Sequence, residues 1–270
     1  MDIIGTGFIA RHFERLRSAY PHVLLFASGV SRSSCTDEPE FRREVDLLYS
    51  ALYHCRLHGR KLIYFSTSSD LMYGGPGSTG YEDEPVFPRS AYGRHKLAME
   101  TVIRQSTVDY LILRLPSPVG QHQQPYQLVP ALFHQIQRGV VQIRRNVRRD
   151  IIDIEDVVAI TDELIARDVS RQVINVASGV AVLVEEIVDH LAACSPSFVL
   201  RSYSDGNDAY QVSNAKLLAY LQNPAALGFD RTYYQRVIDK YYAGYYSERI
   251  MLDGPAQSRE LQIETALATL

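Results

Sequence analysis

Features that would point to a membrane, an oxidising compartment or a polyanion are scarce in this sequence of 270 residues. Its three cysteines, Cys35, Cys55 and Cys194, are too widely spaced for a zinc or redox pair, and their odd number argues against a secreted disulfide framework. No apolar run approaches the roughly 20 residues that span a bilayer, and no basic stretch precedes an apolar one as in a signal peptide. The formal net charge of −3 provides no general attraction to nucleic acid or anionic membranes. We therefore expect a cytoplasmic protein that binds neither.

Apolar runs and segments of helical periodicity alternate along the chain, which is typical of βαβ units on a parallel sheet. Strands are predicted at 2–4, 22–29, 61–69, 108–115 and 172–179, and long helices at 40–58 and from Ala91. The predicted fold is α/β, with a parallel core at 1–115 plus 150–176, a substrate lobe at 116–149 plus 177–253 and a tail at 254–270. For the tyrosine-rich segment 233–246, packing in the core is favoured over a cover for the substrate.

The opening stretch "IIGTGFIARHF" combines a short strand, a glycine turn and the start of a helix. Gly5, Gly7 and Ala10 form the pattern GxGxxA. The first glycine permits a tight turn, the second lets the backbone approach a pyrophosphate, and the small third residue allows close helix packing. This pattern alone is also compatible with an ordinary turn, but its place directly after a strand favours a dinucleotide site.

A tyrosine and a lysine lie four residues apart in "YGRHK", on the helix predicted from Ala91. Tyr92 and Lys96 therefore share one face of that helix. An ammonium beside a phenol favours the phenolate, so we expect Lys96 to lower the pKa of Tyr92 and make it a general acid or base. Lysine is uncommon here, with four among 28 basic residues, and the alternative is a surface pair without function.

Four hydroxyl residues, Ser66 to Ser69, follow the third predicted strand in "STSSDLMYGG". Open α/β sheets bind ligands at this end of their strands. We expect one of the four hydroxyls to bond a substrate oxygen, whereas the others satisfy backbone groups where the strand ends.

In this order, the motifs resemble the extended short-chain dehydrogenase/reductase family, in particular the NAD-dependent epimerases and dehydratases of nucleotide-diphosphate sugars. The resemblance runs from Gly5 to about Leu221 and includes "GFIA", "FSTSSDLMYG", "EDEPVFPRSAYGRHKLAMETVI", "ILRLPSPVGQ", "LVPALFHQI", "RRDIIDIEDVV" and "INVASG". It implies a Rossmann-type doubly wound parallel sheet, NAD or NADP as cofactor, and a homodimer through the helices at 40–58 and 91–106.

Roles for the site residues follow from this resemblance. It makes Tyr92 the catalytic acid or base and Lys96 its partner, which also holds the nicotinamide ribose. Ser69 matches the catalytic hydroxyl when counted back from "MYG", with Ser68 as the alternative. The cofactor residues it implies are Gly5, Gly7, Phe8, Ile9, Ala27, Tyr92, Lys96 and Pro116; no metal site is expected.

The substrate residues implied by the resemblance are Asp70, Ser117, Arg149 and Arg201. Arg149 and Arg201 stand in segments that bind the substrate diphosphate, and a guanidinium suits phosphate oxygens. The alternative for Arg149 is a salt bridge to a nearby acid such as Asp153 or Asp156. Ser117 replaces the asparagine common in the family. Leu71 stands where the dehydratases carry a glutamate, so we do not expect dehydration.

One departure from the family pattern concerns the cofactor site. We expect the second and third βα units to be absent, because "HVLLFASGVS" matches the fourth strand of the family although it closely follows the first helix. No carboxylate stands about 20 residues after the glycines, where the family binds the adenosine ribose. In a rival alignment, 22–29 is the second strand and Arg32 meets an NADP 2′-phosphate. Neither alignment decides between NAD and NADP.

These observations lead to four hypotheses. The first is an NAD(P)-dependent oxidoreductase that reduces a keto group of a nucleotide-diphosphate deoxysugar. The alternatives are a nucleotide-sugar 4-epimerase, a reductase of a non-sugar small-molecule ketone in secondary metabolism, and a cofactor-poor relative without catalytic activity.

Overall fold

The computed structural model describes residues 1–74, 78–193, 198–206 and 210–252. Cys194 and the predicted tail at 254–270 lie outside these residues. In the described part of the chain, no helix has both the length and the apolar character needed to cross a bilayer.

The core is a sheet of five parallel strands in the order β1, β2, β3, β4, β9. The strands are β1 (Asp2–Ile4), β2 (Val23–Phe26), β3 (Lys61–Thr67), β4 (Tyr110–Leu115) and β9 (Gln172–Asn175). Every residue of β2, β3 and β4 is buried. Parallel strands covered on both faces have such continuous apolar sequences, which confirms the predicted α/β class.

Helices cover both faces of this sheet. One face packs against α2 (Glu38–His58) and α4 (Ala91–Gln105), and the other against α1 (Phe8–Phe13) and α6 (Ile154–Ala166). Helix α2 ends at Gly59, whose φ of 61° is in the left-handed region that favours glycine after a helix. The short α3 (Asp70–Tyr73) follows β3 directly.

A second hydrophobic cluster lies in a smaller lobe of the protein. The elements of this smaller lobe include α5 (Leu128–Gln137), β6 (Val140–Arg144), β7 (Arg148–Arg149), β10 (Val182–Leu183), α7 (Val184–Ala193), β11 (Leu200–Ser204) and α9 (Tyr233–Leu252). The remaining elements are β5 (Ser117–Val119), β8 (Ile151–Asp153) and α8 (Ala215–Tyr220). Tyr233, Tyr234 and Tyr242 are buried in this cluster, so these tyrosines serve core packing.

Strand β1 lies at one edge of the sheet. In a complete doubly wound sheet the first strand is internal, with the second strand on one side and the fourth on the other. Here β2 lies between β1 and β3, which is the place of a fourth strand, and only α1 and a 3₁₀ turn at Glu14–Leu16 separate β1 from β2. The sheet therefore confirms the expected deletion, and the rival alignment that makes 22–29 the second strand is wrong.

Candidate active site

The carboxyl ends of β1 to β4 open into a cleft of about 960 Å³. All of the predicted cofactor residues contribute to its wall, namely Gly5, Gly7, Phe8, Ile9, Ala27, Tyr92, Lys96 and Pro116. Four further predicted residues also line it: Ser69, Asp70, Ser117 and Arg149. The fold thus brings residues from distant parts of the sequence to one concave surface.

Glycine is required at the two positions of the opening turn for different structural reasons. Gly5 has a φ of 123°, and a Cβ at this position would lie 2.4 Å from the carbonyl oxygen of Ala27. Gly7 stands just before α1 and lines the cleft, and no heavy atom lies within 4 Å of the place where its Cβ would be. Gly5 therefore permits the turn, whereas Gly7 leaves open space in which a pyrophosphate can approach the backbone.

Tyr92 and Lys96 lie on the first turns of α4, and Ser90 is the residue just before this helix. The Ser90 hydroxyl accepts a hydrogen bond of 2.9 Å from the Gly93 amide, as expected of a residue that caps a helix. The Lys96 Nζ lies 5.9 Å from the centre of the Tyr92 ring. Both residues are buried, so the positive charge of Lys96 acts strongly on the Tyr92 hydroxyl.

Lys96 lowers the pKa of Tyr92, as expected, but burial has the larger effect. The pKa of Tyr92 is therefore raised above its usual value, which the sequence did not predict. Glu44 also raises it, because a nearby negative charge disfavours the phenolate. Tyr92 is therefore protonated near neutral pH.

Of the two candidates for the catalytic hydroxyl, the structure places Ser69 in the cleft wall. Its Oγ accepts hydrogen bonds from Thr67 Oγ1 at 2.8 Å and from the Leu71 amide at 3.3 Å. Ser68 is fully buried, and its hydroxyl has no hydrogen-bond partner in the described part of the chain. Ser68 therefore does not compete for this role.

Thr67 is a site residue that sequence reasoning missed. It ends β3, lines the cleft and donates its hydroxyl to Ser69 Oγ at 2.8 Å, and its side chain lowers the pKa of the Tyr92 phenol. The sequence shows Thr67 at the carboxyl end of a strand, but it does not distinguish this hydroxyl from those of Ser66 to Ser69 that bond backbone groups.

A family model described as the NAD dependent epimerase/dehydratase family matches residues 6–177, more than half of the chain. The chain belongs to this family. No match is found among the curated proteins.

Solved structures resemble the fold of this family member at low sequence identity. The RMD structure from Pseudomonas aeruginosa complexed with NADPH has a TM-score of 0.72 at 17% identity, covering 92% of this chain and 98% of that one. The UDP-N-acetylglucosamine 4-epimerase from Methanobrevibacter ruminantium M1, in complex with UDP-N-acetylmuramic acid, has a TM-score of 0.70 at 18% identity, covering 84% and 77%. A UDP-glucuronic acid 4-epimerase from Bacillus cereus, in complex with UDP-glucuronic acid and NAD, has a TM-score of 0.70 at 19% identity, covering 84% and 76%.

At the far end of the cleft, this member of the family carries an ion pair between two predicted substrate residues. Asp70 begins α3 and Arg149 ends β7, and Arg149 Nη2 lies 3.3 Å from Asp70 Oδ2. The alternative partners proposed for Arg149 have other contacts. Asp153 accepts bonds from Lys240 and Tyr241, and Asp156 from Tyr233. Arg149 therefore forms a salt bridge to a nearby acid, as that alternative states, but its partner is Asp70 and not Asp153 or Asp156.

Arg201 is the predicted site residue that the structure does not bring to the cleft. It lies on β11, and its guanidinium donates to Asp189 Oδ1 at 2.5 Å. Arg201 is not among the described residues that line the cleft. Arg144 of β6 does line it, although the sequence analysis did not predict this residue. The position of Arg201 therefore does not support its assignment to the substrate diphosphate.

The charges of the cleft suit an anionic ligand. Among the described lining residues, the only acid is Asp70, while the bases are Arg32, Arg43, Lys96, Arg144 and Arg149. Guanidinium groups bind phosphate oxygens with two parallel hydrogen bonds. In the same described part of the chain, no group of three or more histidines, cysteines and carboxylates is arranged to hold a metal ion.

Proposed function

We propose that this protein is an NAD(P)-dependent oxidoreductase that reduces a keto group of a nucleotide-diphosphate deoxysugar. One observation carries the proposal: a single cleft joins the open glycine turn, the Ser69, Tyr92 and Lys96 side chains, and the arginines of the smaller lobe. A dinucleotide and an anionic sugar substrate would meet there beside a proton donor.

The residues of the first half of the chain would hold the cofactor. Gly5 and Gly7 would admit the pyrophosphate, and Ala27 and Pro116 would contact the dinucleotide along the cleft wall. NAD(P)H would supply the hydride when bound. The similar structures support this cofactor, since they are described as complexes with NADPH or NAD.

Tyr92 would donate its proton to the substrate oxygen that gains negative charge during reduction. A phenol with an ordinary or a raised pKa is protonated at neutral pH, as this role requires. Ser69 lies at the carboxyl end of the same strand as Thr67, and its hydroxyl would hold the reacting oxygen in place. Lys96 would bind the nicotinamide ribose and stabilise the phenolate left after proton transfer.

The smaller lobe would bind the substrate. Arg149, with Arg144 beside it in the cleft wall, suits the diphosphate, and Asp70 and Ser117 would contact the sugar. Several similar structures are described as complexes with UDP sugars, which favours a substrate of this class.

A 4-epimerase is the second candidate, because similar structures are described as 4-epimerases. Titrating keto and hydroxyl sugar nucleotides while following the nicotinamide absorbance separates the two functions. Net consumption of NADPH or NADH supports reduction. Turnover of a hydroxyl sugar nucleotide without net consumption supports epimerisation, and consumption with a simple ketone only would favour a non-sugar substrate.

The cofactor-poor alternative is tested by equilibrium binding. Folded protein that binds neither NADH nor NADPH at millimolar concentration would overturn the proposed reaction. A Tyr92→Phe variant is the matched control in the activity assay, because it removes the proton donor and keeps the ring.

We also propose a homodimer through α2 and α4. Tyr49, Tyr53 and Leu57 lie at i, i+4 and i+8 on α2 and are 57%, 69% and 64% exposed, although they are large and apolar. An exposed apolar stripe of this kind favours association with a second surface. Light scattering at working concentration tests the proposal, and a monomer would remove it.

A further inference from the structure

Glu44 is a buried carboxylate that contacts both the reaction site and the cofactor wall. It lies on α2 and has 0% exposure. Its Oε1 accepts hydrogen bonds from Tyr64 at 2.6 Å and from Lys96 Nζ at 2.9 Å. Its Oε2 accepts one from the Val30 amide at 2.6 Å and lies 3.1 Å from His95 Nε2. The carboxylate thus joins α2, β3, α4 and the segment that follows β2.

Lys96 depends on this carboxylate for its charge. Its ammonium is 3% exposed and donates to Glu44, to the Tyr64 hydroxyl at 3.2 Å and to the Phe65 carbonyl at 3.4 Å. The titratable groups that face Lys96 are Glu44 of α2, Tyr64 of β3, and Tyr92 and Glu100 of α4, with His95 bonded to Glu44. A buried ammonium without a paired carboxylate is costly, so it tends to lose its proton.

The same contact fixes part of the cleft wall. A Cβ on Gly29 would lie 2.5 Å from Lys96 Nζ and 2.8 Å from Glu44 Oε1, so the glycine allows the segment to lie against the ion pair. The next residue, Val30, lines the cleft and is tied to Glu44 through its amide. Loss of the carboxylate would therefore affect the lysine and the wall together.

We propose that Glu44 is a positioning residue that keeps Lys96 charged and in place beside Tyr92. The importance of this charge for cofactor binding rests on the proposed function, whereas the coupling between Glu44 and Lys96 does not. The two parts can be tested separately.

The electrostatics give the direction of the effect. Burial is the largest single effect and lowers the pKa of Lys96, but Glu44 foremost, together with Tyr92 and Glu100, holds it above its usual value. Without the carboxylate charge, burial would prevail and the pKa of the folded lysine would fall below that of the unfolded chain. The stability cost of losing Glu44 is then largest at low pH and shrinks as pH rises towards the lysine pKa of the unfolded state.

The first test uses the cofactor-free protein. Urea unfolding of wild type and Glu44→Gln is compared from pH 6 to pH 9. We expect the unfolding constant of Glu44→Gln, divided by that of wild type, to fall at least tenfold from pH 6 to pH 9. The matched control is Glu100→Gln, whose buried carboxylate pairs with Arg114 at 2.6 Å on the same side of the sheet. Arginine keeps its proton at these pH values, and Glu100 makes only the weakest of the contributions that raise the pKa of Lys96, so this ratio should change much less than the ratio for Glu44→Gln. A constant ratio for Glu44→Gln would overturn the proposal.

If Glu44→Gln does not fold, the double variant Glu44→Gln with Lys96→Met decides the same question. Removing both charges of a buried pair leaves neither uncompensated, so the double variant should be more stable than Lys96→Met alone. A double variant that is less stable than Lys96→Met would overturn the coupling.

The second test measures NADPH affinity by fluorescence titration. In Glu44→Gln, we expect the Kd relative to wild type to rise at least tenfold between pH 6 and pH 9, because Lys96 loses its charge as pH rises. Glu44→Asp, which keeps the negative charge, should show a ratio that varies little with pH. If Glu44→Gln loses NADPH affinity by the same factor at every pH, Glu44 has a purely structural role. If wild type binds no NADPH, the proposed function fails, and the unfolding experiment still decides the coupling.

Discussion

Replacing Asp70 by asparagine tests how the cleft receives an anionic substrate. Asp70 and Arg149 form an ion pair 3.3 Å apart, and both side chains are about one-fifth exposed. If Arg149 binds the substrate diphosphate, the phosphate must compete with the Asp70 carboxylate for the guanidinium. Asparagine has nearly the same shape but no charge, so the variant removes this competition.

The magnitude follows from the partial exposure of the pair. Ion pairs that retain contact with water contribute roughly 0.2–1 kcal/mol, because solvent screens the attraction. Because both side chains are mostly buried, we take the contribution of this ion pair as about 1 kcal/mol, the upper end of that range. Since about 1.4 kcal/mol corresponds to a tenfold change in affinity, we expect Asp70→Asn to bind UDP about fivefold more tightly than wild type.

Isothermal titration with UDP and with a UDP sugar measures both expected contributions of Asp70. UDP reports the competition at Arg149, and the difference between the two ligands reports any contact of Asp70 with the sugar. The control is Asp83→Asn, whose exposed carboxylate pairs with Lys216 and does not line the cleft. Unchanged or weaker UDP binding by Asp70→Asn would refute the competition and, with it, the assignment of Arg149 to the diphosphate.

Three further predictions concern the proton donor, the glycine turn and assembly. Tyr92→Phe should lower kcat by about 10²–10⁴-fold, the usual contribution of general acid catalysis, with NADPH affinity within about threefold; a smaller loss of kcat would exclude Tyr92 as the proton donor. Gly7→Val should weaken NADPH binding at little cost in thermal stability, because its side chain enters open space. Gly5→Ala should lower the melting temperature, because its Cβ meets the Ala27 carbonyl at positive φ; equal melting temperatures for the two glycine variants would contradict this distinction. Tyr53→Glu should convert the expected dimer to a monomer in light scattering without loss of helix content, and an unchanged mass would place the interface elsewhere.

Local patterns were sufficient for the elements that carry the site. The apolar run before Gly5, the helix with Tyr92 and Lys96, and the hydroxyl cluster after β3 all appear as predicted, since each depends on neighbours within one or two helical turns. Boundaries were less accurate. The strand predicted at 22–29 ends at Phe26, because the residues after it turn away from the sheet and form the cleft wall.

Contacts between distant segments were not predictable in this way. Glu44 precedes Lys96 by 52 positions, and in the sequence it is one of several acids on a polar helix. Asp70 meets Arg149 across 79 residues, whereas Arg201 pairs with Asp189 away from the cleft. Periodicity identifies the face of a helix on which a side chain lies, but it carries no information on which other element covers that face.

By itself, the sequence determined the α/β class and the Gly5, Tyr92 and Lys96 motifs, because these follow from periodicity and from spacing along a single element. The deleted βα units followed from the resemblance to the family pattern. Only the tertiary structure decided the raised pKa of Tyr92, the partner of Arg149 and the burial of Glu44 beside Lys96. Charge and solvation at these side chains depend on what surrounds them in space. That environment forms only when the sheet, its helices and the smaller lobe pack together.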